Sequence, residues 1–273
     1  MSTYTATDKS KVTTRTLAEM KARGEKIACI TAYDYTIASL VDAAGIDFIL
    51  VGDSAANVML GHSTTIPITL DEMIVYAKGV VRGAKRAFVV VDMPFGTVTA
   101  DVNASLKNAI RVIQQSGGEA VKIEGGSEIA PAIEAILAAG IPVVGHLGLT
   151  PQSVNVFGGY AVRAKEEEEA ARLIADAKML DSLGCCAIVL EKVPSALAAE
   201  VARSVKAPII GIGAGNGVDG QILVVQDMLG MNRGFKPKFL RHYGNLGDLI
   251  EQSVNSYVGD VKTVDFPSTT ECY

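Results

Sequence analysis

Six reactive side chains in this 273-residue sequence follow or end short apolar runs: Asp53 after IDFILVG, Asp92 after FVVV, Lys122 and Glu124 in AVKIE, His146 in VVGH, and Glu191 in AIVLE. Runs so apolar read as strands buried on both faces, as in a parallel sheet. Asp53 and Asp92 are 39 positions apart, and Asp92 and Glu124 are 32 apart. Each interval is one strand-plus-helix unit, so the three acids fall on neighbouring strands about 4.8 Å apart. Carboxylates that close repel unless a cation sits among them. An oxygen-only set suits a hard ion such as Mg2+, and the lack of an accompanying His or Cys disfavours zinc. The plainer alternative is that each acid caps the following helix or pairs with a lysine.

Lys122 shares a strand face with Glu124, because positions i and i+2 point the same way. It either neutralises Glu124 or also holds a substrate carboxylate, and both readings stay open. His146, read as the end of the fifth strand, is either an imidazole pointing into a site or a satisfied core histidine. Glu191 ends a run that would desolvate it, raise its pKa and suit it to general-base work, unless it is paired with Lys192.

From Cys29 onward, strand-length apolar segments alternate with segments of helical period. Eight strands are predicted: 29–33, 48–51, 87–91, 120–123, 141–145, 186–190, 208–212 and 221–225. Helices are predicted over 70–82, 105–115, 129–139, 166–183 and 195–205. Eight such units close most economically into a (β/α)8 TIM barrel, an α/β fold whose reactive residues lie at the carboxyl ends of the strands. Glu191 is then expected across the barrel from the three acids. An open doubly wound sheet is the runner-up, weakened by the lack of a dinucleotide-binding glycine fingerprint. Two long loops, 54–69 and 147–165, would lie over one mouth as lids or binding loops. Gly125-Gly126 would let backbone approach a ligand, and GIGAGNG from Gly211 would either cradle an anion or make a tight turn.

The composition is 49% hydrophobic with net charge -5, which permits one large core and disfavours nucleic-acid and acidic-membrane partners. Four cysteines without metal-site spacing read as reduced thiols in a cytoplasmic setting. No run approaches the length of a membrane span. Residues 1–24 read as a polar leader and a short helix, 25–260 as the catalytic barrel with carboxyl-terminal helices, and 261–273 as a polar tail.

Taken in order, the motifs TAYDY from Thr31, VGDS from Val51, LGHSTT from Leu60, DMPF from Asp92, KIEGG from Lys122, GHLGLTPQS from Gly145, LEKVP from Leu190, GIGAG from Gly211 and DGQILV from Asp219 resemble the ketopantoate hydroxymethyltransferase family over about 13–257. The resemblance implies a barrel of the phosphoenolpyruvate and pyruvate-binding type. It also implies Mg2+, a 5,10-methylenetetrahydrofolate cosubstrate, 3-methyl-2-oxobutanoate as acceptor, and a homo-oligomer, often a decamer. By motif, Asp53, Asp92 and Glu124 would hold the metal. Asp53, Ser54, Asp92 and Lys122 would hold the oxo acid, with His146 in the same site, and Glu191 would be the base. A lyase or class II aldolase of the same barrel type and a non-catalytic binding protein are the competing readings.

Overall fold

The computed structural model describes residues 10–273, so the first part of the expected polar leader lies outside the described residues. The eight strands are β1 Ile27–Thr31, β2 Phe48–Val51, β3 Phe88–Asp92, β4 Ala120–Glu124, β5 Val143–Gly148, β6 Ala187–Glu191, β7 Ile209–Ile212 and β8 Gly220–Leu223. Each pairs in parallel with its sequence neighbour, and β8 closes on β1. The eleven α-helices among the described residues are α1 Thr14–Ala22, α2 Tyr35–Ala43, α3 Ala55–Val58, α4 Leu70–Gly83, α5 Val102–Ser116, α6 Ala130–Ala138, α7 Val154–Phe157, α8 Glu167–Leu183, α9 Ser195–Ser204, α10 Val225–Met228 and α11 Leu246–Thr263. The expected (β/α)8 barrel is therefore the fold.

Helix boundaries follow local chemistry. Thr69 caps α4 in a reciprocal box with Glu72, Asp101 caps α5, and three glutamates occupy the first turn of α8, where the helix dipole favours them. Gly117 and Gly184 end α5 and α8 in the left-handed conformation.

One parity of side chains fills the barrel interior. Ile27, Cys29, Phe48, Leu50, Phe88, Val90, Ala120, Val144, Ala187, Val189, Ile210 and Ile222 form one buried cluster with Val12, Leu17 and Met20, the latter two from α1. Continuing that parity upward gives Asp92, Lys122, Glu124, His146 and Glu191. The inner column of each strand is thus apolar below and chemically active at its carboxyl end.

Three acids brace the opposite end. Asp47 accepts from the Ala28 amide and pairs with Arg86; Glu119 accepts from Val89 and pairs with Lys11; Asp219 accepts from Ile209 and pairs with Lys21.

The barrel unit runs to Leu223, and Val224–Tyr273 forms a second compact unit, a boundary inside the span 25–260 expected as one domain. Helix α11 continues to Thr263, so the expected tail begins within a helix. Among the described residues no helix is long and apolar enough to cross a membrane.

Candidate active site

The strand register sets the site. Asp92 aligns with Lys122, Glu124 with His146, and Gly148 with Glu191, so β3 to β6 present their reactive groups side by side. Asp53 joins them from the turn after β2, where its amide donates to Asp92 Oδ2 at 2.9 Å. Lys122, 4% exposed, lies 3.1 Å from Asp92 Oδ1 and 3.6 Å from Glu124 Oε1. It also contacts His146 Nδ1 at 2.9 Å. His146 Nδ1 is 3.3 Å from Glu124 Oε1, and its Nε2 is 3.6 Å from Glu191 Oε2.

His146 is therefore inside β5 rather than at its end, because β5 runs to Gly148. Glu191, on β6, stands four strands round the closed barrel from β2, which leads into Asp53, but only two from Glu124, with His146 between that pair. It is also wetter than its apolar strand led one to expect, with 17% of its side chain exposed. Lys192 does not pair with it. The Lys192 ammonium donates to the Tyr160 carbonyl, and its backbone adopts a positive φ of 46°.

Three buried carboxylates face one ammonium. Burial, then repulsion from Glu124, pushes Asp53 up to about 7 against the attraction of Lys122. Burial does the same for Asp92, also to about 7, although Lys122 opposes it. Burial raises Glu124 as well. Burial would strip the charge from Lys122, but Asp92, Glu124 and Asp53 outweigh it and raise its pKa. Burial and the nearby ammonium lower His146 to about 4, so the imidazole is neutral near pH 7.

Asp92 Oδ1 and Glu124 Oε1 are buried and accept no directed hydrogen bond among the described residues. These two oxygens share the one Lys122 ammonium, and an acceptor-only set with so little positive charge fits a hard divalent cation. As the side chains stand, turned onto Lys122 and backbone amides, no three His, Cys, Asp or Glu among the described residues are in metal-holding geometry.

Residues 11–269 match the profile of the family described as ketopantoate hydroxymethyltransferase. The chain belongs to that family. A 3-methyl-2-oxobutanoate hydroxymethyltransferase of Flavobacterium johnsoniae is 58% identical over 97% of this chain and 98% of its own length. One from Parabacteroides distasonis is 57% identical over the whole of both chains. The barrel also resembles phosphonopyruvate hydrolase, solved in complex with oxalate and Mg++, at TM-score 0.60 and 12% identity over 95% of this chain and 93% of that one. A 2,3-dimethylmalate lyase of the PEP mutase/isocitrate lyase superfamily superposes at 0.55 with 16% identity over 93% and 87%. At such identities these two show the fold alone, a closed barrel of eight parallel strands.

Like its relatives, this ketopantoate hydroxymethyltransferase family member is an enzyme for hydroxymethyl transfer. Sequence reasoning missed two of its site residues. Tyr33 shares a hydrogen bond of 2.8 Å with Ser54 and stacks edge-on against Tyr76. Gln152 donates its amide to Asp53 Oδ2 at 2.8 Å and its backbone N–H to Glu124 Oε2 at 3.0 Å. Both lie in the quoted motifs TAYDY and GHLGLTPQS, which was the available signal.

Two glycine motifs have a packing cause. A Cβ at Gly126 would lie 2.4 Å from the Asp176 carboxyl carbon on α8, and Cβ atoms at Gly215 and Gly217 would lie 2.4 and 2.6 Å from Ser195 and Ala199 of α9. The GIGAGNG segment is thus a tight turn seated on a helix.

Proposed function

We propose that the chain forms ketopantoate (2-dehydropantoate), for pantothenate biosynthesis, by adding a one-carbon unit from 5,10-methylenetetrahydrofolate to C3 of 3-methyl-2-oxobutanoate, with water supplying the new hydroxyl and tetrahydrofolate leaving. The observation that carries the reading is the charge imbalance: three buried carboxylates converge on one ammonium, which two of them share.

Asp53, Asp92 and Glu124 would hold Mg2+, whose chemistry when bound is to draw off negative charge developing on the keto oxygen. Lys122 and Ser54 orient the oxo acid: the ammonium answers its carboxylate, and the Ser54 hydroxyl, steadied by Tyr33, hydrogen-bonds an oxygen. Glu191 removes the C3 proton. His146, neutral and with Nδ1 facing the Lys122 ammonium, turns Nε2 toward Glu191 and helps keep the carboxylate aimed. The resulting C3 nucleophile then attacks the folate-borne carbon. A fold relative solved with oxalate and Mg++ accords with a small oxo acid and a hard ion in this kind of barrel.

The enzyme is further proposed to work as a homo-oligomer in the cytoplasm. Support for self-association comes from α11, which carries exposed Ile250, Val254, Tyr257 and Val261 and no buried residue. Unpaired cysteines accord with a reducing compartment.

The test is product formation from the oxo acid with and without Mg2+ and methylenetetrahydrofolate, alongside exchange of the C3 proton into D2O. Glu191→Gln should retain oxo-acid binding and lose exchange by at least about a hundredfold. Exchange at the wild-type rate would remove Glu191 as the base.

A further inference from the structure

Each of the three strand-end carboxylates has one oxygen held by an amide N–H. Asp92 Oδ2 accepts from the Asp53 backbone at 2.9 Å, Asp53 Oδ2 from Gln152 Nε2 at 2.8 Å, and Glu124 Oε2 from the Gln152 backbone at 3.0 Å. Two of the three holds come from one residue. The second amide hydrogen of Gln152 goes to the carbonyl of Met93, next to Asp92, at 3.0 Å. Gln152 therefore ties the loop after β5 to the ends of β2, β3 and β4 together.

The chemistry of those partners fixes the amide's orientation. A carboxylate and a carbonyl only accept, so the Gln152 nitrogen must face them and both its hydrogens are used. A carboxylate side chain rotates freely unless one oxygen is bonded, and the bonded oxygen decides where the other points. Groups behind a ligand set that fix its orientation are worth about 10- to 100-fold in metal affinity.

We propose that Gln152 is the positioning residue of the acidic set, fixing Asp53 and Glu124 so that their remaining oxygens converge on one divalent cation. The inference rests on the reading that Asp53, Asp92 and Glu124 hold that cation. Gln152 touches neither substrate nor reacting atoms in this role. Its turn, Pro151–Ser153, has bonds of its own: the Ser153 amide donates to the Thr150 carbonyl at 2.9 Å, and the Thr150 and Ser153 hydroxyls meet at 2.9 Å. Loss of the Gln152 side chain leaves the turn and the backbone hold on Glu124 in place.

Mn2+ binding to metal-free protein, followed by its electron paramagnetic resonance signal, tests this in wild type, Gln152→Ala, Gln152→Met and Asp53→Asn. Methionine keeps the length of glutamine without its donor, so a folding defect confined to the alanine variant does not decide the matter. Expected are Mn2+ affinities about 10- to 100-fold weaker in both Gln152 variants, with unchanged circular dichroism. Turnover should return toward wild type at saturating metal. Wild-type affinity in both Gln152 variants, with weakened binding in Asp53→Asn, overturns the inference and leaves the acidic set standing. Failure of wild type to bind Mn2+, or wild-type affinity in Asp53→Asn, overturns the acidic-set reading itself.

Discussion

Asp53 and Asp92 are each raised from an ordinary 3.8 to about 7, chiefly by burial. A carboxyl whose folded pKa exceeds its unfolded value holds its proton more tightly in the fold. Between about pH 4 and 7 the folded state binds protons that the unfolded chain has released, so rising pH costs stability. His146 has the opposite sign: lowered from 6.5 to about 4, it binds protons better when unfolded, and stability grows as pH rises through that window. Asp53 and Asp92, with Glu124 raised in the same direction, against one imidazole leave a net loss on the order of 1 kcal/mol per pH unit up to about pH 7. Metal-free protein should thus melt at a lower temperature at pH 7.5 than at pH 5.5, and Asp53→Asn should narrow the gap. A melting temperature flat or rising over that range in wild type, with no narrowing in the variant, would mean that the carboxyls titrate normally.

Close packing between strand ends and neighbouring segments is what holds these groups at the scale of elements. Gly148 ends β5 with φ of 88°, and a Cβ there would lie 2.5 Å from the Glu191 carbonyl and 2.6 Å from Val193. Gly148→Ala combines a left-handed backbone with a clash against backbone. It should lose about 2 kcal/mol or more in denaturant unfolding and lower turnover by displacing Glu191. Wild-type stability and rate together would show that β6 is not fixed through this contact. Sequence reasoning could see the alternation that makes the barrel, and with it the columns that end in Asp92, Glu124 and Glu191. It could not see that β5 extends past His146, because Gly145 and Gly148 look like a strand's end rather than like sites where Leu180 and Val193 pack. For Gln152 and Tyr33 the motifs were the one sequence signal, because their partners are 99 and 21 positions away and loop geometry brings them together. The acids Asp47, Glu119 and Asp219 each precede a strand, and each receives an amide from the strand next door, a pairing that strand spacing alone does not show.

For the whole molecule the open question is what covers α11. Ile250, Val254, Tyr257, Val258 and Val261 recur at i, i+4, i+7, i+8 and i+11, one face of a helix, and each is 39% exposed or more. A helix with an apolar face and no buried residue gains little by keeping that face in water, since each apolar Å2 withdrawn is worth about 25 cal/mol. Stripes of this kind mark surfaces that bind other protein. Burial against further copies of the chain meets that need, and it agrees with the homo-oligomer implied by the sequence motifs. Sedimentation velocity should then show a species several times the 28.6 kDa chain mass. The triple variant Ile250→Ser, Val254→Ser, Val261→Ser leaves the barrel strands untouched and should sediment as smaller particles, with Mn2+ binding preserved in each. A wild-type protein that sediments as a single chain would end the proposal of self-association. A variant that keeps the wild-type mass would move the contact to a surface other than α11.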